Sequence, residues 1–94
     1  MRDSANRLAK EEKTMIGVTA KLTVAAGKEV EFEAAAKALV AQVNAHEEGV
    51  IFYDLYKSAK EPGVYIFLEK YRDQAALDAH GKTDYFLAFG KPNL

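Results

Sequence analysis

His80 is the side chain best suited to move a proton at neutral pH, because an ordinary imidazole titrates near pH ~6.5. It follows Asp78 by two positions and immediately precedes Gly81, at the end of an expected short helix. It is either a general base or acid, or a helix-terminal histidine whose cationic form the helix dipole favours. Glu69 falls earlier, within an expected strand, on the face shared with Tyr65, Phe67 and Tyr71. A carboxylate among aromatic rings is costly to bury without a partner. It is therefore expected to orient His80, to pair with Lys21 or Arg72, or to line a wetted pocket. Tyr53, Tyr56, Tyr65, Tyr71 and Tyr85 carry hydroxyls that could hold a phenolic or carbonyl oxygen, although strand tyrosines usually pack with a polar tip. Phe86 and Phe89, three residues apart, are expected to point inward with or without a ligand.

Other chemistries find less support. His46-Glu47-Glu48 has metal-ligand residue types but no second histidine at ligand spacing, so it reads as a polar helix end before Gly49. With no cysteine there is no disulfide, thiolate zinc site or thiol nucleophile. The glycine spacing matches neither a dinucleotide fingerprint nor a phosphate-binding loop. A net charge of −1 leaves no electrostatic footprint for nucleic acid.

The elements that must position these residues follow from periodicity. Ninety-four residues, 49% hydrophobic and 29% charged, suit one soluble domain near the lower size limit for a self-sufficient core. Residues 1–14 are charged with alternating sign and read as an N-terminal extension, not a signal peptide; residues 15–94 form the domain. No run is long enough to span a membrane, so a cytoplasmic protein is expected. Residues 16–24 alternate, with Ile16, Val18, Ala20, Leu22 and Val24 on one face. Residues 28–45 form an Ala-rich helix with Phe32, Ala36, Leu39, Val40 and Val43 on one stripe, and Glu29, Glu31 and Glu33 near its positive end. Residues 50–57 and 64–71 are strands joined by a Pro62-Gly63 hairpin. Asp73 caps a helix through Ala79, and Thr83 caps a second piece over 84–89.

The two hairpin strands are apolar on both faces. Val64, Ile66 and Leu68 oppose Tyr65, Phe67 and Tyr71; Val50, Phe52 and Tyr56 oppose Ile51, Tyr53 and Leu55. An antiparallel sheet commonly leaves one face wet. The helices can cover only one face, so the same sheet of a second copy is expected to cover the other, giving a homodimer.

Residues 16–24 followed by Ala-Gly-Lys-Glu, then Glu48-Gly-Val-Ile-Phe-Tyr53-Asp-Leu-Tyr56, Phe67-Leu-Glu69-Lys-Tyr71, Ala76-Leu-Asp-Ala-His80 and Asp84-Tyr-Phe86-Leu-Ala-Phe89, resemble the antibiotic biosynthesis monooxygenase family. The resemblance implies an α+β ferredoxin-like sandwich whose antiparallel sheet packs against a second subunit. It further implies an apolar pocket used without metal or flavin, so no cofactor. In such oxygenases an acidic quinol or anthrone loses a proton, and its electron-rich anion reacts with dioxygen directly. The resemblance makes His80 the proton acceptor and Glu69 its orienter or a second polar contact. Tyr53, Tyr71, Phe86 and Phe89 become candidate contacts to a small aromatic substrate. The family position of Tyr71 is often tryptophan, which this chain lacks. The first strand has no asparagine, which disfavours the haem-degrading relatives. The family pattern ends in a fourth strand beside the first. Here the order β-α-β-β-α reaches Gly90-Lys-Pro-Asn-Leu94 without one, leaving the edge of 16–24 for the extension or a partner to cover. Two other readings stand beside the monooxygenase: a non-catalytic dimer binding a small apolar molecule, and an isomerase of a small phosphorylated dicarbonyl. The isomerase needs cations at the pocket mouth, for which Lys21, Lys57, Lys70 and Arg72 are available.

Overall fold

The computed structural model describes residues 15–93; the extension assigned to residues 1–14 lies outside the described residues. The element order is β1 (Ile16–Thr23), α1 (Glu29–His46), β2 (Val50–Lys57), β3 (Val64–Tyr71), α2 (Gln74–Gly81) and α3 (Asp84–Asn93). The strands make one antiparallel sheet in the order β1-β3-β2. This is the ferredoxin-like α+β arrangement, with three strands among the described residues.

Local chemistry explains each boundary. Strand β1 shows strict alternation, its apolar residues half-buried and Gly17, Thr19, Lys21 and Thr23 exposed. Helix α1 buries Phe32, Ala36, Leu39 and Val43 at helical spacing. Glu29 accepts a hydrogen bond from the Gly27 amide at 2.7 Å, which anchors the turn before the helix. At the β2–β3 hairpin, Ser58 Oγ accepts from the amides of Lys60 and Glu61 at 3.2 and 3.0 Å. Gly63 closes it with φ at 76°, and an added Cβ would lie 2.7 Å from the Val24 carbonyl oxygen. Asp73 caps α2 by accepting from the Ala76 amide at 2.9 Å. Thr83 Oγ1 accepts from the Phe86 amide at 3.3 Å and donates to the His80 carbonyl at 2.9 Å, tying α3 to the end of α2.

Two features differ from the periodicity. A register shift between Val50 and Phe52 in β2 pairs Val50 with Tyr71 and Phe52 with Lys70. Val50 therefore joins the core side, while Ile51 and Phe52 are exposed; strict alternation had put Ile51 with Tyr53 instead. Helix α3 also runs past Phe89, through Gly90 and Pro92 to Asn93. Asn93 Nδ2 donates to the Phe89 carbonyl at 2.9 Å, supplying a partner that the last turn otherwise lacks.

The core lies between one sheet face and the helices. Phe32 packs against Tyr65 with tilted rings whose centroids are 4.7 Å apart, and Phe67 meets Phe89 edge-on at 5.9 Å. The opposite sheet face carries Phe52, Tyr56 and Leu68, exposed by 41%, 51% and 38%.

Candidate functional site

Strand β3 sends Phe67, Glu69 and Tyr71 to the helix side, as its alternation requires. Glu69 is only 8% exposed. Its Oε1 accepts from the Tyr71 hydroxyl at 2.5 Å, two residues along the same strand face. Burial pushes the Glu69 carboxyl above the ordinary carboxylate range, outweighing the Tyr71 hydrogen bond and the nearby His80, while Glu47 pushes in the same direction as burial. The same burial, with Glu69 alongside, holds the Tyr71 and Tyr53 hydroxyls above the usual phenol range. These phenols are therefore neutral donors.

Helix α2 delivers His80 at its end, where it is 3% exposed. The ring is packed among Tyr53, Tyr71 and Phe86, with centroids at 5.0, 5.6 and 4.7 Å. Its Nδ1 lies 3.0 Å and 3.1 Å from the two carboxylate oxygens of Glu47, which follows α1. Tyr85 on α3 donates its hydroxyl to Glu47 Oε2 at 2.5 Å. Burial, then that bond, pushes the Tyr85 phenol up to about 12. His80 Nε2 is buried and has no hydrogen-bond partner among the described residues.

His80 and Glu69 border one cavity of about 220 Å³. Val18, Ala20 and Leu22 of β1 contribute to its lining together with Phe86 and Phe89 of α3, and Tyr53 is its third polar residue. Thus Glu69, His80, Tyr53, Phe86 and Phe89 converge on one space. Tyr71 does not line it but holds Glu69.

Glu47, not Glu69, holds the His80 ring by a direct hydrogen bond. The sequence offered no periodic signal for this contact, since Glu47 lies just past a helix end and meets His80 only when the chain folds back. The other tyrosines lie elsewhere. Tyr65 donates to Glu33 at 2.5 Å, and Tyr56 is exposed on the outer sheet face. Lys21 pairs with Glu61 at 3.9 Å, Lys57 with Glu33 at 3.6 Å and Arg72 with Asp73 at 3.6 Å, so Glu69 gains no ion pair from Lys21 or Arg72. No lysine or arginine among the described residues lines the cavity. A larger groove of about 440 Å³ lies outside it, with Glu47, Gly49, Arg72 and Ala76 in its wall. Among the described residues no group of three His, Asp or Glu side chains could hold a metal ion.

Residues 15–92 match the family model described as "Antibiotic biosynthesis monooxygenase". A Bacillus subtilis (strain 168) protein named "Putative monooxygenase YcnE" is 37% identical over 75 residues, 80% of this chain and 78% of that protein. A crystal structure from Caulobacter crescentus CB15, described as a "putative antibiotic biosynthesis monooxygenase", shares 48% identity with a TM-score of 0.80; the match covers 82% of this chain and 73% of that one. A conserved protein from Methanosarcina mazei Go1 shares 31% identity with a TM-score of 0.78, covering 86% of this chain and 79% of that one. The chain belongs to the antibiotic biosynthesis monooxygenase family.

Proposed function

We propose that this protein is a cofactor-independent monooxygenase acting on a small quinol or similar aromatic polyphenol. The observation that carries the reading is His80. Its Nδ1 is held by Glu47, and its Nε2 is buried and unpartnered, on a ring that borders an apolar cavity. In this mechanism the substrate O–H or activated C–H bond breaks and the proton goes to Nε2. The resulting carbanion or phenolate gives its electrons to dioxygen, forming a carbon–oxygen bond. The imidazolium returns the proton to the peroxide, and loss of water leaves a new carbonyl. Glu69, with its raised carboxyl, and Tyr53 supply hydrogen bonds to the ring oxygens, while Phe86 and Phe89 contact the ring faces. An apolar wall slows competing protonation of the anion by water.

The cavity volume, about 220 Å³, lies below the ~300–1,000 Å³ of clefts for drug-sized ligands. That favours one or two fused rings over a three-ring anthrone. The isomerase reading draws no support from the site, because none of Lys21, Lys57, Lys70 and Arg72 lines the cavity. The exposed apolar sheet face supports a homodimer, in keeping with the family. Oxygen uptake with a panel of quinols tests the activity: stimulation by the wild type and its loss in His80→Ala are expected.

A further inference from the structure

We infer that Glu47, steadied by Tyr85, holds His80 in the tautomer protonated on Nδ1, and that the cavity thereby selects aromatic ligands presenting a hydroxyl donor over those of similar size with none. The inference deepens the monooxygenase reading, since that hydroxyl would carry the proton to be removed.

A neutral imidazole has one N–H, and its location is set by what each nitrogen meets. Nδ1 faces a carboxylate at 3.0 and 3.1 Å, an acceptor without a proton to offer when ionised. A proton on Nδ1 makes a charge-assisted hydrogen bond there. A proton on Nε2 instead would set the Nδ1 lone pair against that carboxylate and would leave a buried N–H with no acceptor among the described residues. The contact at Nδ1 decides for the bare Nε2, since Nε2 is without a partner in either tautomer. Glu47 is itself fixed, because the Tyr85 hydroxyl occupies Oε2 at 2.5 Å. Glu47 lines the outer groove and His80 the inner cavity, so their hydrogen bond joins a residue of one wall to a residue of the other.

A buried acceptor without a donor costs free energy that a ligand hydroxyl recovers. A quinone carbonyl offers only lone pairs to Nε2, and a methyl group offers nothing. A plain quinone would therefore be held less tightly than the quinol from which two electrons and two protons have been removed.

The test uses the full chain under nitrogen, so no turnover is needed. Nitrogen-15 NMR of His80 reads the tautomer. Calorimetry compares 2-naphthol with 2-methylnaphthalene, its near-isostere, and with 1,4-naphthoquinone. We expect the Nδ1–H tautomer, and 2-naphthol bound at least about tenfold more tightly than either comparator. In Glu47→Ala the ring shifts toward Nε2–H and the preference falls to within about twofold, the tautomer no longer being held. An Nε2–H tautomer in the wild type, equal affinities across the three ligands, or no binding of 2-naphthol would each overturn the inference. The wild-type series stands without any variant. Absence of oxygen uptake, by contrast, removes the monooxygenase reading and leaves this binding test intact.

Discussion

Glu69 carries an ionisable group into a space with few polar neighbours, and the stability of the domain must register that. Its folded-state carboxyl lies above the unfolded value because burial outweighs the Tyr71 hydrogen bond. The folded state thus holds the proton more strongly than the unfolded chain. Its favourable contribution is complete below the unfolded value near ~4.3 and is lost as pH rises through the folded one. Glu69→Gln should therefore gain stability relative to wild type as pH rises from about 4 toward 7, with a slope no steeper than about 1.4 kcal/mol per pH unit. Urea titrations at several pH values check this; a difference independent of pH would contradict it. At this scale the sequence was partly legible. Strand parity placed Glu69 and Tyr71 on one face, and helix-end position singled out His80. Glu47 was not legible as the His80 partner, because its role depends on how the end of α1 meets the end of α2, which no local period encodes.

The element that aims His80 is α2, a helix of eight residues. So short a helix is marginal alone and depends on its cap and its packing. Asp73→Ala removes the acceptor for the Ala76 amide and should cost about 0.5–2 kcal/mol. Because His80 stands at the far end of this helix, oxygen uptake should fall as well. Thermal unfolding read beside activity checks the pair, and unchanged values in both would contradict the assignment. The caps at Asp73 and Thr83 were legible because a polar residue before an apolar period has few other uses. The register shift after Val50 was not, since an inserted residue in an apolar strand leaves the composition unchanged and reverses only which side chains face inward. The extension of α3 through Pro92 was hidden for a related reason: proline marks a helix end, and here it falls inside the last turn.

At the scale of the whole molecule, one sheet face carries the site and the other carries Phe52, Tyr56 and Leu68 in the open. Three large apolar side chains exposed on one face, with Asp54 and Lys70 among them, suit an interaction surface. The order of elements was legible from alternation and caps, the family only through the resemblance of the segments from residue 16 to Phe89 to a known pattern, and the two-faced strands already pointed to a partner. Light scattering should give twice the chain mass at micromolar concentration, and Phe52→Asp should shift the protein toward monomer. A wild-type monomer would contradict the sheet-packing proposal without touching the cavity. If His80 is the base that lets a bound aromatic react with dioxygen, its removal must abolish that reaction. The most direct measurement is the initial rate of oxygen uptake with a naphthohydroquinone, wild type against His80→Ala, with the product analysed for oxygen-18 from labelled dioxygen. Stimulated uptake, one labelled atom in the product, and a rate lower by on the order of 10²-fold or more in the variant are expected. Uptake no faster than the uncatalysed background, or equal rates in both proteins, would contradict that expectation.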